Sequence, residues 1–161
     1  DRPQIVALLL IVTGGLLFLP RLLRKRQALT GKEGGEVTLL SALIMGIGQA
    51  FAILPGVSRS GSTIVAGMLA GTKSSAAAEF SFLMAIPAIA AATVLEAKDL
   101  AEVDASILGP YLVGAVVAFV SGLGAIYTVL ESIRRGKFEY FGIYCLVAGV
   151  GAFLYFQLGS S

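Results

Sequence analysis

Residues 53–67, ILPGVSRSGSTIVAG, hold the chain's densest polar chemistry: Arg59 sits among Ser58, Ser60, Ser62 and Thr63, with Pro55, Gly56 and Gly61 interleaved. A guanidinium is a permanently charged planar fork that matches phosphate oxygens two at a time. Short hydroxyls add donors around the same point, and glycines let backbone come close. Pro55 ends whatever helix precedes it. A helix beginning near Ser60 to Ser62 would aim unpaired N–H groups and its positive dipole end into the turn, where an anion is stabilised. Phosphate binding is the chemistry these residue types suit. The competing use of Arg59 is a pairing with Glu79 or with carbonyl oxygens that only holds its own segment together.

The rest of the chain decides the solvent in which that cluster lives. Of 161 residues, 57% are hydrophobic and 14% charged, with no His, Trp or Asn, and the mean hydropathy is +0.88. This is the composition of an integral membrane protein. A net charge of +2, with its cations spread over several segments, offers no continuous surface for nucleic acid. The single cysteine, Cys145, allows no disulfide within the chain and lies in an apolar run, as a small packing residue does. The opening DRPQIV and the basic PRLLRKR after the first apolar run do not resemble a signal peptide; the chain reads as part of something longer.

Four apolar runs, Pro3–Pro20, Ser75–Leu95, Ile107–Leu130 and Phe138–Leu158, suit a hydrocarbon core that takes roughly 20 helical residues to cross. The segment Val37–Gly71 does not, because the Pro55–Gly61 break leaves arms of only about 18 to 25 Å each. Charge supplies a separate test. Arg21, Arg24, Lys25, Arg26 and Lys32 mark one basic loop and Arg134, Arg135 and Lys137 another, whereas Glu96–Asp104 holds Glu96, Asp99, Glu102 and Asp104 against Lys98. The positive-inside tendency puts the basic loops in the cytoplasm and the acidic one outside. An odd number of crossings must then separate Glu36 from Glu96, and Ser75–Leu95 already supplies one. Residues 37–73 are therefore expected to enter, turn and return to the same side as a re-entrant helical hairpin within a single membrane domain, 1–161. The alternative is one long kinked span. An arginine deep in such a segment costs at least about 2.5 kcal/mol on insertion scales and needs a partner.

The strings GIGQAFAILPGVSRSGSTIVAGMLAG, Gly46–Gly71, and AAEFSFLMAIPA, Ala77–Ala88, resemble the second signature region of the undecaprenyl pyrophosphate phosphatase family, the bacitracin-resistance membrane enzymes. The resemblance extends over essentially the whole chain, weakly in the first and last helices. It implies an all-α integral membrane fold of about four transmembrane helices plus one re-entrant hairpin, as part of an inverted-repeat architecture. It also implies hydrolysis of a polyprenyl diphosphate lipid to the monophosphate at the outer face of the bacterial inner membrane, recycling carrier lipid for peptidoglycan synthesis. Carried over by position, Ser58, Arg59 and Thr63 fall on the family's catalytic phosphate-site residues. Ser60, Gly61, Ser62 and Gln49 are then expected to bind phosphate, and Glu79 to hold Arg59 or transfer a proton, unless it merely favours the first turn of a helix starting near Ser74.

The departure from the family pattern is equally specific. Members carry an earlier half with two glutamates four apart on a helix, a serine-rich turn and a histidine, and this chain has neither the glutamate pair nor any His. It is expected to be the C-terminal part of the enzyme, inactive without the missing N-terminal half. A homodimer would still lack the carboxylates. If the complete site uses a metal, a diphosphate and hard oxygen ligands favour Mg²⁺ or Ca²⁺, with ligands mainly outside this chain. A phosphorylated-lipid or anion transporter, or flippase half, built on the same hairpin is the alternative function. Gly67-x-x-x-Gly71 is expected to be a close-packing pair.

Overall fold

A computed structural model describes residues 3–30, 34–100 and 108–158. Its elements are seven helices: α1 (Pro3–Leu16), α2 (Leu19–Thr30), α3 (Leu39–Phe51), α4 (Arg59–Leu69), α5 (Ser74–Leu100), α6 (Leu108–Arg134) and α7 (Glu139–Leu158). Four stretches are long and apolar enough to cross a membrane, Pro3–Lys25, Ser74–Glu96, Gly109–Arg134 and Glu139–Gln157. The chain is thus an all-α, multi-pass membrane protein, as its composition requires. One expectation changes: the basic segment after Pro20, read as a loop, is helical as far as Thr30, since its Leu, Arg and Lys are good helix formers. The acidic segment also changes: residues 96–100 continue α5, and residues 101–104 lie outside the described residues.

The segment between the first and second spans is broken, as its Pro and Gly content predicts. Thr38 caps α3 through a capping box with Ser41, and α3 ends at Phe51, a little before Pro55. Three tight turns follow, with Ala52, Ile53 and Leu54 amides bonded to the carbonyls of Gln49, Ala50 and Phe51. Helix α4 then starts at Arg59 under the Ser58 cap. It stops at Gly71, whose φ of +89° suits the residue after a helix C-cap. The Thr72 amide reaches back to Gly67 O at 2.9 Å and the Gly71 amide to Met68 O at 3.0 Å.

These two short helices form a hairpin whose open ends are tied together. Gly35 N–H donates to Gly71 O at 3.0 Å, and Lys73 N–H donates to Gly35 O at 2.9 Å. The chain therefore leaves the hairpin at the level where it entered. The glycines of the 67/71 pair divide their tasks: Gly71 terminates α4, while Gly67 admits α3, a Cβ there falling 2.8 Å from Met45 Sδ. The hairpin packs on α5 and against α1 and α2. Leu17, Met45, Ile64, Met68, Ala77, Ala78, Ile133 and Phe138 form the core cluster. Apolar burial brings little gain inside lipid, so contact of this kind works through close van der Waals packing. Helices α1 and α7 meet closely, a Cβ on Gly14 falling 2.6 Å from Leu146 Cγ.

The two basic segments gather at one end of the bundle. Arg21 Nη1 meets Glu139 Oε1 at 2.8 Å, and Arg24 Nη1 donates to the Ile133 carbonyl at 2.8 Å. The hairpin base lies at this end too, because Arg21, Arg24, Ser74 and Gly136 border one small cavity. The hairpin tip sits against the other half of α1: Gly56 has φ +96°, and a Cβ there would lie 2.5 Å from Val6 O. Gly56→Ala is expected to cost about 2 kcal/mol or more through this clash and the disfavoured backbone. Gly15→Ala, which meets nothing within 4 Å, should stay within about 1 kcal/mol of the parent. Thermal midpoints in detergent compare the two.

Candidate functional site

Three elements converge on Arg59. Its Nη1 donates to Gln49 Oε1 on α3 and to the Ser81 carbonyl on α5, each at 3.3 Å. Both partners are neutral oxygens, and among the described residues no carboxylate forms an ion pair with this guanidinium. Arg59 and Gln49 border an open groove of about 410 Å³ whose walls are otherwise apolar: Gly46, Ala50, Ala52 and Ile53 on one side, Ala88, Ile89 and Ala92 on the other. The groove thus joins one permanent positive charge and one amide to an otherwise apolar lining.

Helix α4 adds to the field at that point. Ser58 Oγ accepts the Gly61 N–H at 3.1 Å, and the Ser62 N–H makes the first regular helical bond, to Ser58 O at 2.9 Å. The N–H groups of Arg59 and Ser60 precede any intrahelical acceptor, so the positive helix end remains open beside the guanidinium. Ser58 acts here as an N-cap, a role worth about 1 kcal/mol.

The remaining sequence-predicted residues do not all meet at the groove. Gly61 is buried, its N–H is taken by Ser58, and a Cβ on it would lie 2.8 Å from Leu17 Cδ2. It fits α4 against the junction between α1 and α2. Thr63 is fully buried; its hydroxyl lies 2.5 Å from Ser81 Oγ and reaches the carbonyls of Arg59 and Ser60 at 3.0 and 3.1 Å. These contacts dock α4 on α5 and order the turn that carries Arg59. Ser60 and Ser62 are half-buried on α4 and, like Ser58, do not line the groove.

Glu79 departs furthest from expectation. Its carboxylate pairs with Arg134 Nη2 at 3.3 Å, with the two side chains 54% and 61% exposed. It neither touches Arg59 nor lies in the first turn of α5. Ser81 faces α4, and a residue two positions earlier on a helix points about 200° away, toward the basic end. Ser81 and Thr13 are the residues that sequence reasoning missed. Ser81 stands inside the quoted AEFSF string, but nothing in that string says which of its members faces the hairpin.

Fold and site together define an all-α, multi-pass membrane protein with a broken helical hairpin that presents a half-buried arginine to an apolar groove. The family model described as bacitracin resistance protein BacA matches residues 1–151, and the chain belongs to that family. It is 41% identical to an undecaprenyl-diphosphatase from Syntrophotalea carbinolica over 145 residues, 90% of this chain and 54% of that protein. A Salinibacter ruber protein of the same name is 38% identical over 94% of this chain and 54% of its own length. A third, from Treponema denticola, is 38% identical over 95% and 55%. The chain spans about half the length of the curated relatives it matches.

The two polar contacts at the site should differ in weight. Ser81→Ala removes one of the three partners of the buried Thr63 hydroxyl and is expected to cost about 1 kcal/mol. Glu79→Gln weakens an exposed ion pair and should cost less than about 0.5 kcal/mol. Denaturation in detergent of both variants tests the ranking.

Proposed function

We propose that this chain supplies the phosphate-holding part of an enzyme that hydrolyses undecaprenyl, or another polyprenyl, diphosphate to the monophosphate and inorganic phosphate. The reaction takes place at the outer face of the bacterial inner membrane and returns carrier lipid to peptidoglycan synthesis. The observation that carries the proposal is Arg59, a half-buried guanidinium held only by neutral oxygens and bordering an apolar groove. A charge so placed in a bilayer needs an anionic partner. The relatives' name, undecaprenyl-diphosphatase, supplies one whose head is polyanionic and whose tail is hydrocarbon.

The hairpin is re-entrant in this proposal. Its base is level with the basic segments, on the cytoplasmic side by the charge rule. Its tip touches α1 at Val6, Leu9 and Thr13, away from the basic end of that span, and so lies within the hydrocarbon core in this proposal. The diphosphate head descends from the outer side to meet the guanidinium and the free N–H groups of Arg59 and Ser60. As the bond to the leaving phosphate breaks, negative charge grows on the transferred and departing groups, and fixed positive charge in a dry site is worth most at that stage. Gln49 holds the guanidinium plane from α3 while the Ser81 carbonyl holds it from α5.

No carboxylate borders the groove among the described residues, so activation of the attacking group belongs to the part of the enzyme that precedes this one in the family, and this chain alone is expected to be inactive. Mg²⁺ or Ca²⁺ needs several oxygen ligands. Among the described residues no three of His, Cys, Asp or Glu cluster, and a guanidinium is a poor neighbour for a divalent cation. The residues present do not fit a metal, and its ligands, if the enzyme uses one, are assigned to the other half.

The test is a full-length chimera in which these 161 residues replace the matched segment of the Syntrophotalea carbinolica relative. It should release inorganic phosphate from a C55 diphosphate in vesicles. Arg59→Lys keeps the charge but loses the two-pronged geometry, and should lower kcat/KM by about 100-fold or more. Equal phosphate release by the mutant would remove Arg59 from the site. Passage of the lipid across the vesicle membrane without phosphate release would favour the transporter alternative.

A further inference from the structure

A hydroxyl on a lipid-embedded helix ordinarily bonds back to a carbonyl in its own preceding turn. Thr93, Ser121, Thr128 and Ser132 all do so, to the carbonyls of Ile89, Val117, Gly124 and Thr128. Thr13 on α1 does not. Its side chain is 1% exposed, and its Oγ1 donates to Gly56 O at 2.9 Å while accepting the Ser58 N–H at 3.1 Å. These groups flank Val57, so one hydroxyl fixes the peptide planes on both sides of a residue in the irregular tip.

That position controls the geometry of the site. Orienting the Ser58 N–H sets the backbone of the N-cap, which in turn lets Ser58 Oγ meet the Gly61 N–H at 3.1 Å. The cap fixes where α4 begins and hence the direction in which Arg59 leaves it. Without Thr13, the Gly56 carbonyl and Ser58 amide would be left unpaired at membrane depth, where each seeks another partner and the turn must shift to find it. Helix α1 can serve as a fixed reference because Gly56 is seated on Val6 and Leu9, and because α1 is itself packed along α7.

We infer that Thr13 is a positioning residue for the phosphate site, acting through Ser58 to hold Arg59 in register with Gln49 and the Ser81 carbonyl. This rests on the phosphate-binding role proposed above. Displacing a charged group by about 1 Å can cost on the order of 100-fold in rate, so a residue that touches no ligand can still be rate-determining.

The test uses the chimera with Thr13→Val, which keeps the shape and loses both hydrogen bonds, and Thr13→Ser, which keeps the hydroxyl. Gly136→Ala is the control, since its φ is +71° and a Cβ there meets Arg24 Nη1 at 3.1 Å, which strains the basic end of the bundle away from the tip. Two quantities are read: phosphate release from a C15 diphosphate, and the rise in thermal midpoint on adding a C15 methylene-bisphosphonate, which cannot be hydrolysed. Thr13→Val is expected to lower kcat about tenfold or more and to abolish most of the ligand-induced rise. Thr13→Ser should keep both, and Gly136→Ala should lower the unliganded midpoint while keeping the ligand-induced rise. Equal losses in the Val variant and the Gly136→Ala control, or failure of Ser to rescue, would overturn the role of Thr13. A parent chimera that binds the bisphosphonate without releasing phosphate would sink the hydrolase proposal while the binding shift still judges Thr13. A parent that does neither would sink both.

Discussion

The constraint on which the rest of the structure depends is Arg59, a half-buried arginine among apolar helices with no carboxylate paired to it among the described residues. Full burial of a lone charge is prohibitive, and removing it from water is tolerable only if oxygen dipoles replace the solvent. Arg59 finds two such dipoles, and they come from different helices: Gln49 from α3 and the Ser81 carbonyl from α5. Three segments, two of them too short to span a bilayer, must therefore be held within hydrogen-bond reach of one side chain. The ties between Gly35 and the 71–73 segment, the Thr63–Ser81 contact and the entry of Met45 beside Gly67 all serve this convergence. What is left without a counter-charge among the described residues is the guanidinium itself, which is where the proposed anion would bind.

Irregular backbone in a membrane is acceptable only when its polar groups are accounted for. Residues 52–58 meet that condition with local means. Tight turns serve the amides of Ala52, Ile53, Leu54 and Val57, Thr13 serves Gly56 and Ser58, and Ser58 serves Gly61. The glycines here act mainly to admit neighbouring helices: Gly56 accepts α1 and Gly61 accepts Leu17. Close approach to the protein's own backbone is thus what selects glycine in this turn, and the ligand benefits indirectly.

The molecule is also asymmetric along its length. Ion pairs and capping arginines collect at the end that holds the hairpin base, where Arg21, Arg24 and Arg134 join α2, α5, α6 and α7. The opposite halves of α5 and α6 are exposed from Ile86 and Gly109 onward over most of their described length. The charged end fixes the helices relative to one another, while the groove beside Arg59 opens between α3 and the exposed part of α5. Rigidity is concentrated beneath the site and openness above it.

By itself the sequence determined the membrane class, the four spans and the break between Pro55 and Gly61. Each of these follows from local composition, from periodicity, or from what Pro, Gly, Ser and Arg do to their own backbone. It did not determine which face a residue presents. Glu79 and Ser81 are two positions apart, and both are plausible partners for Arg59 on paper; only the rotation of α5 against α4 puts Ser81 beside Thr63 and sends Glu79 to Arg134. Thr13 is similarly silent in sequence, one hydroxyl in an apolar run, until α1 is laid against a turn more than forty residues away. Contacts between distant elements depend on helix rotation and packing distance, and neither is encoded in the spacing of residues along the chain.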